Sequence, residues 1–190
     1  MSAVSGTKLW TSDELFALRP NKKVDRCLFR GELRESKVTR RNPSHSRTTA
    51  MLSTLLNVWL MKKSKPRGAI YDGEGYFRIR SNPDTNVGID VAYASAEQVA
   101  ATADNASFVD GPPVIAIEVL SPYDKHKDIV EAIDEYLDCG VKAVWIVDPY
   151  TDTVAVHRLD KEPKYYTLSD TIATQPELPG FKCRVADIFE

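Results

Sequence analysis

A mixed α/β fold, with a central sheet flanked by helices, is predicted by three features of this sequence. Pro113 to Leu120, PVIAIEVL, is an almost unbroken apolar and β-branched run, the pattern of a strand covered on both faces. Asp124 to Cys139 carries Ile129, Ile133, Tyr136 and Leu137 at helical spacing and meets Gly140 where a helix-ending glycine belongs. Val141 to Asp148, VKAVWIVD, is a second buried strand, so strand, helix and strand form a βαβ crossover whose two strands run parallel.

The remaining elements are built around that unit. Thr11, with Glu14 three residues on, predicts a capping box for a short helix carrying Leu15, Phe16 and Leu18. Leu28 to Leu33, broken at Gly31, reads as a hairpin. From Ser44 to Lys63, Met51, Leu52, Leu55, Leu56, Trp59 and Leu60 recur at the spacing of an amphipathic helix. Beyond Pro66 and Gly68, short apolar or alternating runs at Ala69 to Tyr71, Tyr76 to Ile79 and Gly88 to Tyr93 predict strands separated by turns. Thr153 to Arg158 and Lys164 to Leu168 predict a terminal antiparallel pair. No repeat, low-complexity segment or linker interrupts the pattern, and 190 residues of ordinary globular composition, 43% hydrophobic and 27% charged, predict one domain over 1–190.

Composition narrows the function classes. The first residues, MSAVSGTKLWTSDEL, lack a charged region followed by an apolar core, and no stretch approaches the roughly 20 apolar residues that span a bilayer, so a cytoplasmic protein without a membrane partner is expected. Cys27, Cys139 and Cys183 are an odd set without short metal-ligand spacing, which argues against disulfide staples and structural zinc. The net charge of −2 conceals a polarity: residues 20–80 carry 15 Lys/Arg against 5 Asp/Glu, and residues 81–190 carry 8 against 20. Basic clusters at Lys37, Arg40, Arg41 and Arg47, and at Lys62, Lys63, Lys65 and Arg67, have the character that phosphate contact requires, against the plainer reading of solvated faces.

The chemistry concentrates in two acids. In PVIAIEVL, Ile115, Ile117 and Val119 take one face and Glu118 the other, which puts a carboxylate inside a hydrophobic strand. Asp90 poses the same problem, with Ile89, Val91 and Tyr93 expected on one face of its strand and Asp90 on the other. Burying an ionised carboxylate costs several kcal/mol unless a cation or a hydrogen-bond set compensates it. For either acid alone a structural ion pair or cap is the plainer explanation; for two on neighbouring strands a divalent cation is expected. All-oxygen donors favour Mg2+ or Mn2+, which activates water and neutralises charge in phosphodiester hydrolysis. Rival schemes find little: Gly73-Glu74-Gly75 lacks the rest of a phosphate loop, and Ser121 before Pro122 is no nucleophile elbow.

Several motifs together resemble the Uma-two family of restriction endonucleases, a branch of the PD-(D/E)XK nuclease superfamily. They are Asp90, then PPVIAIEVLSP from Pro112, EYLDCGV from Glu135 and WIVDP from Trp145. LWTSDELFAL, RGEL around Glu32, PSH at Pro43 to His45, LPGF at Leu178 and VADIF at Val185 extend the resemblance over nearly the whole chain. It implies a restriction-endonuclease-like fold and metal-dependent hydrolysis of DNA, with Asp90 and Glu118 as metal ligands, Glu32 as a third carboxylate, and His45 near the phosphate, where the basic cluster separately suggests Arg40, Arg41 and Arg47. One departure matters. The superfamily's lysine is absent two residues after Glu118, where Leu120 stands, and absent again at the helical position four before Tyr136, where Ala132 stands. Lys125 and Lys127 are the nearest substitutes, with Lys127 taken as the candidate. Loss of that charge leaves a second expectation, a catalytically inactive nuclease-fold module that binds nucleic acid or protein. Cutting two strands motivates a homodimer as a further hypothesis.

Overall fold

The computed structural model describes residues 8–37, 42–174 and 176–190, with Glu74 described by its backbone alone. Along the chain, α1 (Ser12–Ala17) precedes the hairpin β1 (Val24–Phe29) and β2 (Glu32–Lys37), the long helix α2 (Pro43–Met61), the hairpin β3 (Ala69–Arg80) and β4 (Thr85–Ala94), α3 (Ala96–Ala101) and the short β5 (Val109–Asp110). The crossover β6 (Ile115–Val119), α4 (His126–Asp138) and β7 (Ala143–Asp148) follows. Then come β8 (Thr153–Arg158), β9 (Lys161–Tyr166), the small pair β10 (Thr171–Ile172) and β11 (Cys183–Arg184), and α5 (Ala186–Phe189).

Local chemistry accounts for the element ends. Thr11 and Glu14 form the reciprocal capping box of α1. Arg30 and Gly31, with φ of 49° and 80°, make the two-residue turn whose twist suits the β1–β2 hairpin. The two short strands expected between Ala69 and Ile79 are instead one strand of 12 residues. The register steps from Asp72↔Val91 to Gly75↔Ile89, so the Gly-Glu-Gly segment is absorbed as a bulge rather than ending the strand.

Among the described residues the main sheet runs β2-β1-β4-β6-β7-β8-β9, with β3 pairing β4 and β5 off this path. β6 and β7 are parallel and central, with Ile117 opposite Trp145. On one face Leu52, Leu56 and Trp59 of α2 pack with Ile117, Trp145 and Val147, joined by Ile188 of α5. On the other, Ile133, Tyr136 and Leu137 of α4 pack with Ala116, Val144 and Ile146. The result is a mixed sheet between helical layers, in which each buried Leu, Ile or Val contributes about 1.5–3 kcal/mol. Among the described residues no helix is long and apolar enough to cross a membrane.

β4 sets up the site. One edge pairs with β3; the other pairs with β6 through Val91 to Tyr93 and with β1 only at Leu28↔Asn86. Residues 87–90 therefore lie in a fork between β1 and β6. The pleat breaks there too. Val91 and Tyr93 pack on the α2 face, but Ile89 packs with Ala92 and Ala116 on the α4 face, opposite the β3 bulge. The alternation expected for Ile89, Val91 and Tyr93 fails at Asp90.

The charge polarity of the chain is partly spent on internal ion pairs. Arg30 and Arg80 both pair with Glu135, at 2.7 and 2.8 Å, Arg34 pairs with Glu131 at 2.8 Å, and Arg78 pairs with Asp110 at 2.8 Å. Part of the basic half is thus docked on the acidic half. Glu135 is 1% exposed. Burial alone would raise its pKa, but donors from Arg80, Arg30 and Thr85 outweigh that and hold it below the ordinary carboxylate range.

Candidate active site

Asp90 stands one residue beyond the last β4–β6 pair, Val91↔Ile117, and Glu118 is the matching residue on β6. A continued ladder would give the Val119 N–H a backbone acceptor. Instead it donates to Asp90 Oδ2 at 3.0 Å, so a side chain takes the place of the ladder and the strands part. The opening is a cleft of about 600 Å³ whose lining includes Asp90, Glu118, His45, Lys37, Lys125 and Ala132.

Asp90 is held from the α2 side. Asn42 caps α2 and accepts from the His45 N–H at 2.9 Å, with Pro43 in the first turn, so His45 enters on that turn facing the sheet. Its ring is buried, and Nε2 lies 3.1 Å from Asp90 Oδ2. Glu118 is held from the α4 side, where the Tyr136 hydroxyl donates to Oε1 at 2.8 Å. Burial first, and then the Glu118 charge, push the Tyr136 phenol far above its ordinary range, which keeps it a neutral donor. The two acids are thus oriented from opposite faces of the sheet.

Among the described residues no three His, Cys, Asp or Glu side chains gather into a metal cage. Magnesium does not require one, since it keeps several waters and takes one or two carboxylates. The Asp90 and Glu118 donor set, all oxygen and oriented in part by Val119 and Tyr136, fits a hard divalent cation.

The other expected site residues are dispersed. Glu32 is exposed, opposite Phe29 beside the hairpin turn, and does not line the cleft. Lys127 is exposed on the first turn of α4 and also lies outside the lining, whereas Lys125, the N-cap residue of that helix, is part of it. Arg47 donates to the Phe189 carbonyl at 2.7 Å, tying α2 to α5. Arg40 and Arg41 lie outside the described residues. Two features were missed: the Tyr136 bond to Glu118, because Tyr136 reads as a core residue of the helical stripe, and the approach of Asp25 and Lys37 from the hairpin. No local signal places the end of β2 beside β6.

The architecture is similar to the crystal structure of a putative nuclease belonging to DUF820 from Anabaena variabilis ATCC 29413, with a TM-score of 0.76 over 93% of this chain and 96% of that one. Sequence identity is 17%, so this is a likeness of fold. No curated protein matches the chain. The Uma2 family model, described as "Putative restriction endonuclease", matches residues 12–186, a span that contains both acids, His45, Tyr136 and the whole cleft lining. By that match the chain belongs to the Uma2 family.

Proposed function

We propose that this protein is a metal-dependent endonuclease that hydrolyses DNA phosphodiester bonds, with Asp90 and Glu118 as ligands of Mg2+ or Mn2+. The observation that carries the proposal is the convergence of the two carboxylates at the β4–β6 fork, inside a cleft of about 600 Å³, in a chain of a nuclease family. A divalent cation bound there supplies charge neutralisation at the phosphate and lowers the pKa of bound water. The protein's own residues set the geometry for it. The Val119 amide and His45 fix Asp90, and Tyr136 fixes Glu118, so neither carboxylate needs to reorganise when substrate arrives. Lys125 and Lys37 line the same cleft and are the lysines suited to meet charge developing on the phosphate.

A second reading, a catalytically inactive nuclease-fold module that binds nucleic acid or protein, is favoured by Ala132, which lines the cleft where the family resemblance implies a lysine. One experiment separates the two: supercoiled-plasmid nicking in magnesium or manganese, with Asp90→Ala and Glu118→Ala as controls and DNA retention by gel shift in parallel. Nicking by wild type alone supports the enzyme. Retention without nicking supports the module, and Ala132→Lys should then restore cleavage if the missing charge is the defect.

A further inference from the structure

We infer that the cleft takes a nucleic-acid strand with unpaired bases, which stack on Tyr123 and Tyr150; the inference rests on the nuclease reading and specifies its substrate. The sequence contains the dipeptide Pro-Tyr twice, at Pro122-Tyr123 and Pro149-Tyr150. Each follows one of the two central strands: β6 ends at Val119 and β7 at Asp148. Because β6 and β7 are adjacent and parallel, both turns emerge at the same end of the sheet, the carboxyl end at which Glu118 stands.

Both turns are fixed rather than loose. The Ser121 N–H and hydroxyl donate to Asp124 at 2.7 and 2.8 Å, and the Tyr150 N–H donates to Asp148 Oδ1 at 2.8 Å. The Tyr150 hydroxyl also accepts from the amide of Asn42, a residue of the cleft lining. Tyr123 itself lines the cleft and is 75% exposed, more than any other large apolar side chain described, and Tyr150 is 51% exposed. A single exposed ring needs no explanation. Two rings from the same dipeptide are carried on neighbouring strand ends, one lining the cleft and the other bonded to a residue that lines it.

Among the described residues the lining supplies Lys37 and Lys125 for contact with phosphate. Aromatic rings supply affinity of another kind, since every base has a face that stacks. Bases inside a duplex have both faces covered, so only unpaired ones can use such rings. A single-stranded substrate also needs only one cut, and hence no second copy of the chain.

The test is fluorescence anisotropy of a labelled 12-nucleotide single strand, its duplex and its abasic counterpart, each in EDTA and in magnesium. The expected result is single strand over duplex by roughly tenfold or more, a similar loss for Tyr123→Ala, for Tyr150→Ala and for the abasic strand, and retained binding by Tyr123→Phe. Equal or tighter duplex binding, with the alanine variants neutral, overturns this inference while plasmid nicking by wild type leaves the nuclease reading standing. No binding of either form in either buffer, and no nicking, overturns both.

Discussion

Glu118 and Glu135 are acids set in apolar surroundings, and the protein treats them in opposite ways. Glu135 is 1% exposed and surrounded by donors, with Arg30 on one oxygen and Arg80 and Thr85 on the other. It locks α4 to both hairpins. Glu118, with Asp90 beside it, is steadied by Tyr136 and opens on the cleft. The comparison teaches that burial of a carboxylate does not identify a site; the type of partner does. Around Glu135 guanidinium partners complete a structural knot, while at the cleft a phenol, an imidazole and a backbone amide are among the groups that orient Glu118 and Asp90.

The comparison can be broken most sharply by exchanging the two roles. Asp90→Ala and Glu118→Ala should each lower nicking by roughly 10²-fold or more at a temperature where the variants remain folded. Magnesium should raise the melting temperature of wild type but not of either variant, since only a protein that binds the ion gains stability from it. Glu135→Ala should do the reverse, costing about 3 kcal/mol in urea unfolding and leaving the site competent at low temperature. If Glu135→Ala abolishes nicking in a folded protein, the division of roles is wrong.

Acid sharpens the same contrast. The folded-state pKa of Glu135 lies below its ordinary value of 4.5, so the stability it adds is complete above that pH and is lost as pH falls through the depressed folded value. The stability difference between wild type and Glu135→Gln should accordingly be full at neutral pH and shrink in acid, as read by denaturant titrations across the range. A difference that grows in acid would contradict the pairing.

Smaller effects distinguish the orienting groups. Tyr136→Phe keeps the packing of α4 and removes only the donor to Glu118; nicking should fall about tenfold, with the magnesium midpoint shifted upward. Lys125→Ala should lower activity by a few fold and Lys127→Ala should not, because the first lysine lines the cleft and the second does not. Equal effects would move the boundary of the site along α4.

How much of this was legible follows from how each signal is written. Glu118 stands out because a charge interrupts PVIAIEVL, and the crossover stands out because buried parallel strands are long apolar runs. Glu135 was hidden. It shares α4 with Asp128, Glu131, Asp134 and Asp138, and nothing in that run tells which acid turns inward. The arginines that meet it come from the hairpins, far away along the chain, so no local pattern pairs them with it. The two-residue strands β5, β10 and β11 are too short to show a period. The merging of two expected strands into β3 was obscured by Gly73 and Gly75, which signal a turn and form a bulge.

The hydrogen bond from the Val119 amide to Asp90 gives the protein a built-in reporter. In a sheet interior, amide protons normally answer to a neighbouring backbone carbonyl, which is indifferent to added ions. This one answers to a carboxylate whose electron density a cation would withdraw. In a ¹⁵N-labelled sample the Val119 resonance should therefore move during a magnesium titration while the Trp145 resonance, buried one strand away, stays in place, so that ion binding could be followed by NMR without any nucleic acid present.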